Sequence, residues 1–226
     1  MSETNNHRIK DDIKKAYDDI AEVYLDWTQS SHETRLSYLN LMLRSFDSAR
    51  ENDQTSILEL GCGAGVPCTQ LLASREYISV TANDISDTQI AMAKKRLPES
   101  VNLIPGDMME LKFGQEQFDA VVAMYSIIHL PRDEQTTILH RIHDWLKPGG
   151  RLLANFSETG FASSSDQSWL GGTKGAMHWS GWGRTEMNRL LTDIGFEMEI
   201  DEVVVDCEEE NGVSRDAPFH WILAKK

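Results

Sequence analysis

The feature that most constrains this chain is an apolar run followed by three glycines at alternate positions. It reads Ser56-Ile57-Leu58-Glu59-Leu60-Gly61-Cys62-Gly63-Ala64-Gly65. The first half favours a buried strand, and the glycines permit positive φ and close approach of a ligand to the backbone. A helix that begins after such a turn offers free N–H groups and partial positive charge. The stretch therefore predicts a strand, a tight turn and a helix start that take a ligand with a carboxylate or phosphate and a nucleoside.

The spacing of the glycines bears on which nucleoside ligand fits. The nicotinamide dinucleotide fingerprint is Gly-x-Gly-x-x-Gly. Here the glycines follow Gly-x-Gly-x-Gly, and position 66, where the third dinucleotide glycine would fall, is Val66. An NAD-dependent oxidoreductase remains an alternative, although the fingerprint disfavours it.

Helical and strand patterns alternate along the rest of the chain. This alternation predicts an α/β fold with a doubly wound, Rossmann-like, seven-stranded sheet, mostly parallel with an antiparallel C-terminal strand. Predicted strands lie at 56–60, 77–84, 101–105, 118–124, 151–156, 196–205 and 218–224, and predicted helices lie at 9–27, 33–46, 68–74, 86–97, 133–146 and 185–194.

Two segments stand apart from this alternation. We expect residues 1–50 to form an N-terminal helical cap and residues 51–226 to form the main domain. Within the main domain, residues 157–183 are rich in Ser, Gly and Trp and predict a long functional loop, an insertion that acts as a lid on the substrate side. Residues 207–217 are acidic and predict a solvated link between the last two strands.

Two aspartates follow predicted strands. Asp84 ends the second strand, 19 residues after Gly65, where a carboxylate can accept hydrogen bonds from ribose hydroxyls. Asp107 follows the third strand, and its carboxylate can accept the exocyclic amine of adenine while Met108 packs on the ring. The simpler alternatives are a helix-capping aspartate and a turn aspartate.

The charge and residue composition of the chain limit the kinds of molecule that it is expected to bind. The formal net charge is −14, from 22 basic and 36 acidic residues, and such a field repels polyphosphate. We therefore expect a small-molecule substrate and no nucleic acid. The chain has no run of about 18 apolar residues for a membrane span and no signal peptide at its start, and three cysteines suit a reducing compartment. A cytoplasmic monomer or homodimer is the expectation.

Five features, in this order, resemble the class I S-adenosylmethionine (SAM) methyltransferases of small-molecule type. They are the glycine-rich stretch from Glu59 to Gly65, Asp84, Asp107, the phrase Phe118-Asp119-Ala120-Val121-Val122 and the phrase Leu146-Lys147-Pro148-Gly149-Gly150-Arg151-Leu152. The resemblance implies a methyl transfer from SAM, which leaves S-adenosylhomocysteine, to an O, N or S atom of a small metabolite. It implies a direct displacement that depends on positioning and on exclusion of water.

The resemblance also implies individual roles in cofactor binding. Glu59 would steady the turn near the amino end of SAM, Asp84 would hold the ribose, and Asp107 would bind the adenine edge. The full set of implied cofactor-binding residues is Tyr17, Tyr24, Glu59, Gly61, Cys62, Gly63, Asp84, Ile85, Asp107, Met108, Met124 and Tyr125. Tyr17 and Tyr24 are equally good core residues of the first helix.

Two histidines are candidate general bases. His129 lies just past the fourth strand, and His178 lies in the Trp-rich segment; a buried structural histidine and a surface loop histidine are the alternatives. The predicted substrate pocket comprises Tyr24, Tyr125, His129, Trp169, His178, Trp179 and Trp182. The three tryptophans would equally anchor the loop to the sheet. No metal site is expected, because the cysteines and histidines lack ligand spacing.

Two further functions compete with methyl transfer. A SAM-fold binding or regulatory protein without turnover would be expected to lose Asp84, Asp107 or a glycine, and all are present. A methyltransferase that acts on DNA amines would carry an Asn/Asp-Pro-Pro-aromatic element after the fourth strand. The chain has Ala123-Met124-Tyr125-Ser126 there, without proline.

Overall fold

The computed structural model describes residues 3–47, 54–210 and 213–226 of the chain. Its centre is a seven-stranded sheet of order β3-β2-β1-β4-β5-β9-β8. The strands are β1 (Thr55–Leu60), β2 (Ile78–Asp84), β3 (Asn102–Pro105), β4 (Phe118–Ala123), β5 (Leu146–Ser157), β8 (Glu197–Glu210) and β9 (Val213–Lys225). β9 runs antiparallel to both of its neighbours, and the pairs among β1 to β5 are parallel. The predicted fold class is confirmed.

Helices cover both faces of this sheet. The helices are α1 (Glu3–Trp27), α2 (His32–Asp47), α3 (Cys68–Ala73), α4 (Asp87–Arg96), α5 (Arg132–Trp145) and α6 (Arg184–Ile194). Apolar side chains of α2, α3 and α4 share one buried cluster with the sheet, and those of α5 and α6 share another. The alternation of β1 explains the two layers, because Ile57 enters the first cluster and Leu58 and Leu60 enter the second.

Caps and stops fall where the sequence places them. The Ser86 hydroxyl caps α4 by accepting a hydrogen bond from the Gln89 N–H at 3.1 Å. Gly195 ends α6 in the left-handed conformation, with φ of 114°.

Helix α1 begins at Glu3, six residues before the predicted start. Long-range contacts hold its first turns in place: the Asn6 amide donates to Asp133 at 3.1 Å and the Lys10 ammonium to Glu134 at 3.1 Å. These partners lie on α5, so the pattern of apolar residues in α1 alone could not locate its first turns. The domain boundary predicted between residues 50 and 51 lies outside the described residues.

The segment between β5 and α6 is ordered as a hairpin, which corrects the expectation of a long loop. β6 (Gly160–Asp166) pairs antiparallel with β7 (Met177–Trp182) as a separate two-stranded sheet. The apolar face of α1 packs on it, because Ile13, Tyr17 and Ile20 share a cluster with Met177. This segment therefore has secondary structure of its own and a helix to cover it.

The expected acidic link at 207–217 is also corrected within the described residues. β8 and β9 stay paired from Glu197 and Lys225 out to Glu210 and Val213. Side-chain exposure alternates along residues 203–208, with Val204, Asp206 and Glu208 half-buried and their neighbours exposed, as in a strand with one face in solvent. The acidic charge of the segment favours a solvated loop when only the sequence is considered.

The stretch Lys147-Pro148-Gly149-Gly150, expected as a turn after α5, belongs to β5 itself. The β4–β5 register shifts between Phe118 and Ala120 at this place. A Cβ at Gly150 would lie 2.8 Å from the Lys147 carbonyl oxygen, so the close approach of the backbone requires glycine.

Candidate active site

The glycine turn and Asp84 form one hydrogen-bonded unit at the carboxyl ends of β1 and β2. Gly61 and Gly63 have φ of 74° and 55°, in the left-handed region. One carboxylate oxygen of Asp84 accepts from the Gly63 N–H at 2.8 Å and the other accepts from the Ser86 N–H at 2.9 Å. Burial raises the pKa of Asp84 to about 6, against the lowering effect of these two hydrogen bonds.

A cavity of about 60 Å³ opens beside this unit. It lies where ligands bind in open α/β sheets, outside the carboxyl ends of the strands. Ten of the residues singled out from the sequence line it: Tyr17, Tyr24, Gly61, Gly63, Asp84, Ile85, Asp107, Met108, Tyr125 and His129.

Three predicted cofactor residues do not line this cavity. Glu59 is buried behind the turn, where it accepts from the Thr69 hydroxyl at 2.7 Å, and burial raises its pKa to about 7. Cys62 borders a smaller recess on the other side of the turn. Met124 is buried, with its sulfur 3.8 Å from the Cys68 sulfur. The structure therefore places all three around the cavity without giving them contact with its interior.

Several polar residues of the cavity were missed by sequence reasoning. Asn83, Gln89 and Ser126 line it, and each has a buried side-chain N or O atom without a hydrogen-bond partner among the described residues. Buried polar atoms without partners are costly, so these groups fit a polar ligand such as SAM. Gln89 lies three residues after Ser86, the residue that caps α4. This position next to the helix start is the one sequence feature that indicates Gln89 as a cavity residue.

Arg35, on α2, is a cation beside the glycine turn that does not line the cavity itself. It borders the recess that Gly61 and Gly63 share with the cavity, and its guanidinium lies 4.3 Å from the centre of the Tyr125 ring. Its Nε donates to the Ser31 hydroxyl at 2.9 Å. A cation at this place suits the carboxylate of the methionine part of SAM.

Asp107 is engaged by α1. Its Oδ1 accepts from the Met109 N–H at 2.9 Å, and its Oδ2 lies 2.6 Å from the Lys10 ammonium. Lys10 also reaches Glu134 at 3.1 Å and lines the cavity. Burial lowers the pKa of Lys10, but hydrogen bonds and charge from Asp107 and Glu134 outweigh burial and raise it overall.

Tyr125 has a strained backbone. Its φ of 53° is in the left-handed region, which costs a residue with a Cβ about 1 kcal/mol or more. The buried Asn155 side chain accepts from the Tyr125 N–H at 2.6 Å and so holds this conformation. The Tyr125 hydroxyl donates to Asp206 at 2.5 Å.

His129 faces Tyr17 across the wall of the cavity. Its Nδ1 lies 2.8 Å from the His178 carbonyl oxygen, which can only accept, so Nδ1 carries the proton. Its Nε2 therefore accepts from the Tyr17 hydroxyl, also at 2.8 Å. Burial lowers the pKa of His129 to about 4, so the ring is neutral near pH 7.

The second histidine is held by the first. His178 directs Nδ1 at the His129 carbonyl oxygen, 3.2 Å away, and Nε2 at the Ser163 hydroxyl, 3.0 Å away. His178 lines neither cavity of this region. The geometry brings His129 to the cofactor cavity and places His178 behind it.

The predicted substrate-pocket tryptophans separate into two groups. Trp169 and Trp179 line a second cavity of about 230 Å³ next to the first, and Trp169 also contacts the Tyr17 and Tyr24 rings. Trp182 lies elsewhere, under the guanidinium of Arg132 at 4.9 Å. Among the described residues, no group of three His, Cys, Asp or Glu side chains could hold a metal ion.

Comparison with known proteins agrees with this geometry. Residues 57–150 match the family model described as a methyltransferase domain. The chain is 30% identical over 148 residues to the malonyl-[acyl-carrier protein] O-methyltransferase of Priestia megaterium, covering 62% of this chain and 49% of that protein. It is 24% identical to the phosphoethanolamine N-methyltransferase of Plasmodium falciparum, covering 75% of this chain and 59% of that one.

A solved structure aligns along the whole chain. The Burkholderia thailandensis 1,6-didemethyltoxoflavin-N1-methyltransferase, with bound 1,6-didemethyltoxoflavin and S-adenosylhomocysteine, has a TM-score of 0.69 at 17% identity. The alignment covers 100% of this chain and 91% of that one. At 17% identity it supports a shared fold. The chain spans between about a quarter and three fifths of the length of the curated relatives it matches.

No described helix is long and apolar enough to cross a membrane. The sheet order, the glycine turn with its cavity and the matched methyltransferase domain at residues 57–150 agree with one another, and together they support the resemblance to the class I SAM-dependent methyltransferases.

Proposed function

We propose that the protein transfers a methyl group from SAM to an O, N or S atom of a small molecule. The observation that carries this proposal is the cavity at the glycine turn, where the carboxylates of Asp84 and Asp107 meet unpartnered polar atoms of Gln89 and Ser126. A cavity with this mixture of acidic and amide groups suits a ribose and an adenine. SAM supplies the methyl group on a sulfonium, which is a strong methyl donor without further activation.

The residues that would hold SAM come from each end of the cavity. Asp84 would accept from the ribose, and Asp107, with Ile85 and Met108, would surround the adenine. Gly61 and Gly63 would leave room for the methionine part, and Arg35 would pair with its carboxylate. A Cβ at Gly63 would meet nothing closer than 3.8 Å, so open space lies above this residue.

Tyr17 and His129 would manage the proton of the acceptor. The neutral His129 has its free electron pair on Nε2, directed at the Tyr17 hydroxyl. A proton that leaves the acceptor can pass to the Tyr17 oxygen while the Tyr17 hydroxyl proton moves to Nε2 of His129. His178 would act by position, because it fixes the tautomer of His129 through its backbone carbonyl.

The acceptor we propose is small rather than a macromolecule. The charge of −14 opposes a nucleic-acid partner. Two of the relatives act on small compounds by their names, phosphoethanolamine in one and 1,6-didemethyltoxoflavin in the other. A third is named for an acyl-carrier protein substrate, so a carrier-bound acceptor belongs among the compounds to test. Monomer or homodimer and a cytoplasmic location stay predictions.

The lid we propose consists of α1 and the hairpin β6–β7. Asp19 of α1 accepts from the Thr173 N–H at 2.7 Å, and Ala16, Tyr17 and Ile20 share a cluster with Met177. The two segments are therefore joined and would move together. Closure would exclude water from the sulfonium.

The experiment is calorimetry of the purified protein with S-adenosylhomocysteine and with NAD, followed by assays with SAM labelled on the methyl group. We expect micromolar binding of S-adenosylhomocysteine, no binding of NAD, and transfer to at least one member of a panel of phenols, thiols, amines and acyl-carrier protein. Binding without transfer to any of them would favour a regulatory protein. Binding of NAD alone would contradict the proposal.

A further inference from the structure

The second cavity shares a wall with the first. Ile128 lines the second cavity and its neighbour His129 lines the first, both on the short turn that follows β4. Trp179 lines the second cavity, and its ring centre lies 6.0 Å from that of His129. The second cavity therefore adjoins the proposed cofactor site, with Ile128, His129 and Trp179 at the boundary between them.

Four of the ten described residues that line the second cavity are aromatic. Phe161 and Trp179 come from the hairpin β6–β7, Trp169 from its connecting segment and Phe219 from β9. Aromatic side chains offer large flat surfaces on which a planar ligand stacks. The walls come from the hairpin, its connecting segment and β9, so aromatic faces from separate elements border one space.

The only charge in the described lining of the second cavity is negative. None of the described residues that line this cavity is a lysine, arginine or histidine, and the only charged one is Glu208. Arg215 lies opposite Glu208 in the β8–β9 pairing but does not line the cavity. An acidic ligand would give up part of its hydration without gaining a cationic partner, and its charge would face the carboxylate of Glu208.

We propose that this second cavity binds the methyl acceptor, and that the acceptor is a planar aromatic compound that carries no acidic group. This inference rests on the proposed methyl transfer and adds the chemical class of the acceptor. It separates this chain from an enzyme whose acceptor carries a phosphate, since such an acceptor needs basic residues around its anionic group.

The test uses three probes that share one ring: indole, tryptamine and indole-3-acetate. Each is titrated by calorimetry into the full chain saturated with S-adenosylhomocysteine. We expect indole and tryptamine to bind, and indole-3-acetate to bind at least 10-fold more weakly. Equal or tighter binding of indole-3-acetate, or no binding of any probe, would overturn the inference.

Variants inside and outside the second cavity test whether the probes bind there. Phe161→Leu should weaken indole at least fivefold, whereas Phe113→Leu should leave it unchanged, because Phe113 packs on Phe118 and Trp145 and lines neither cavity. Should Phe161→Leu fail to fold, saturation-transfer NMR of the wild type gives a second measurement. It should detect indole contact that Trp179→Leu abolishes. An unchanged affinity in both lining variants would contradict the site.

The same samples separate this inference from the function on which it rests. Titration of S-adenosylhomocysteine comes first in each case. A chain that fails to bind it contradicts the proposed function, whereas a chain that binds it but prefers the anionic probe contradicts only the acceptor class.

Discussion

The Tyr17 hydroxyl donates to Nε2 of His129 over 2.8 Å, and this bond joins α1 to the turn after β4. The bond requires a neutral His129, because a protonated ring has a hydrogen on Nε2 and cannot accept. Both residues are buried. The hydrogen bond between α1 and the turn after β4 therefore depends on the protonation state of one side chain.

The first prediction is that acid destabilises the protein through His129. Its pKa is about 4 in the folded chain and about 6.5 unfolded, so the unfolded state binds more protons between these values. The stabilisation is complete above pH 6.5 and is lost as the pH falls toward 4. Between pH 7 and pH 5 the wild type should lose about 2 kcal/mol more than His129→Gln, measured by urea unfolding.

Tyr17→Phe is the matched control for this prediction. It removes the same hydrogen bond but keeps the buried imidazole, so its unfolding free energy should keep the dependence on pH. Asp84 and Glu59, whose pKa values are raised by burial, act in the opposite direction and are present in all three proteins. Parallel pH curves for the wild type and His129→Gln would contradict the assignment.

The second prediction concerns Asp84. Asp84→Ala should weaken S-adenosylhomocysteine binding by about 1.5–3 kcal/mol, the scale of hydrogen bonds to a charged group. The loss includes the Gly63 N–H, which Asp84 holds at 2.8 Å. Calorimetry checks the affinity. Asp87→Ala serves as the control, because Asp87 is an exposed aspartate three residues further on, at the first position of α4. Equal affinities of the two variants would show that Asp84 does not bind the ribose.

The third prediction is that Lys10 holds α1 closed. Its ammonium lies 2.6 Å from Asp107 and 3.1 Å from Glu134, and its side chain is mostly buried. Lys10→Met should speed hydrogen exchange in α1 at least 10-fold without ligand. Lys15→Met is the control, since Lys15 is exposed and its closest carboxylate is 3.8 Å away. Exchange in α1 that is identical in the two variants would rule out the Lys10 contact as the latch.

The sheet and its helices were predictable because local patterns encode them. The apolar run at Phe118, the capping Ser86 and the terminal Gly195 each act within a few residues of their own position. The hairpin β6–β7 was not predictable in this way. Its serines do not form an apolar strand pattern, and its order depends on contact with α1.

The residues of the candidate site show the same difference between local and tertiary information. Asp84 and Asp107 could be found because each follows a strand directly. Arg35 and Lys10 could not, since they come from helices that precede the glycine turn and reach the cavity only through the tertiary fold. Glu59 and Met124 were predicted to bind the cofactor but do not line the cavity. A residue next to a strand end can point away from the cavity.

The fourth prediction is that methyl transfer needs no metal ion. The polar groups nearest the shared wall are Tyr125, Ser126 and His129, which make a poor site for Mg²⁺ because that ion prefers carboxylates and water. Activity measured with SAM should be the same after treatment with EDTA and after addition of Mg²⁺. A loss in EDTA that Mg²⁺ restores would contradict it.

The last prediction assigns the methionine end of the cofactor to Arg35. Its guanidinium borders the recess at Gly61 and Gly63 and is held in place by Ser31 and by the face of Tyr125. A carboxylate at this place gains a charge-assisted hydrogen bond of about 1.5–3 kcal/mol. Arg35→Met should therefore weaken S-adenosylhomocysteine about 10-fold or more.

A second ligand distinguishes this role from a general loss of structure. Methylthioadenosine has the same nucleoside and sulfur but lacks the amino acid carboxylate, so Arg35→Met should bind it as the wild type does. Arg44→Met, on the last turn of the same helix, should leave both affinities unchanged. Calorimetry with the two ligands gives the four comparisons. If Arg35→Met weakens both ligands equally, Arg35 supports the turn and does not bind the carboxylate.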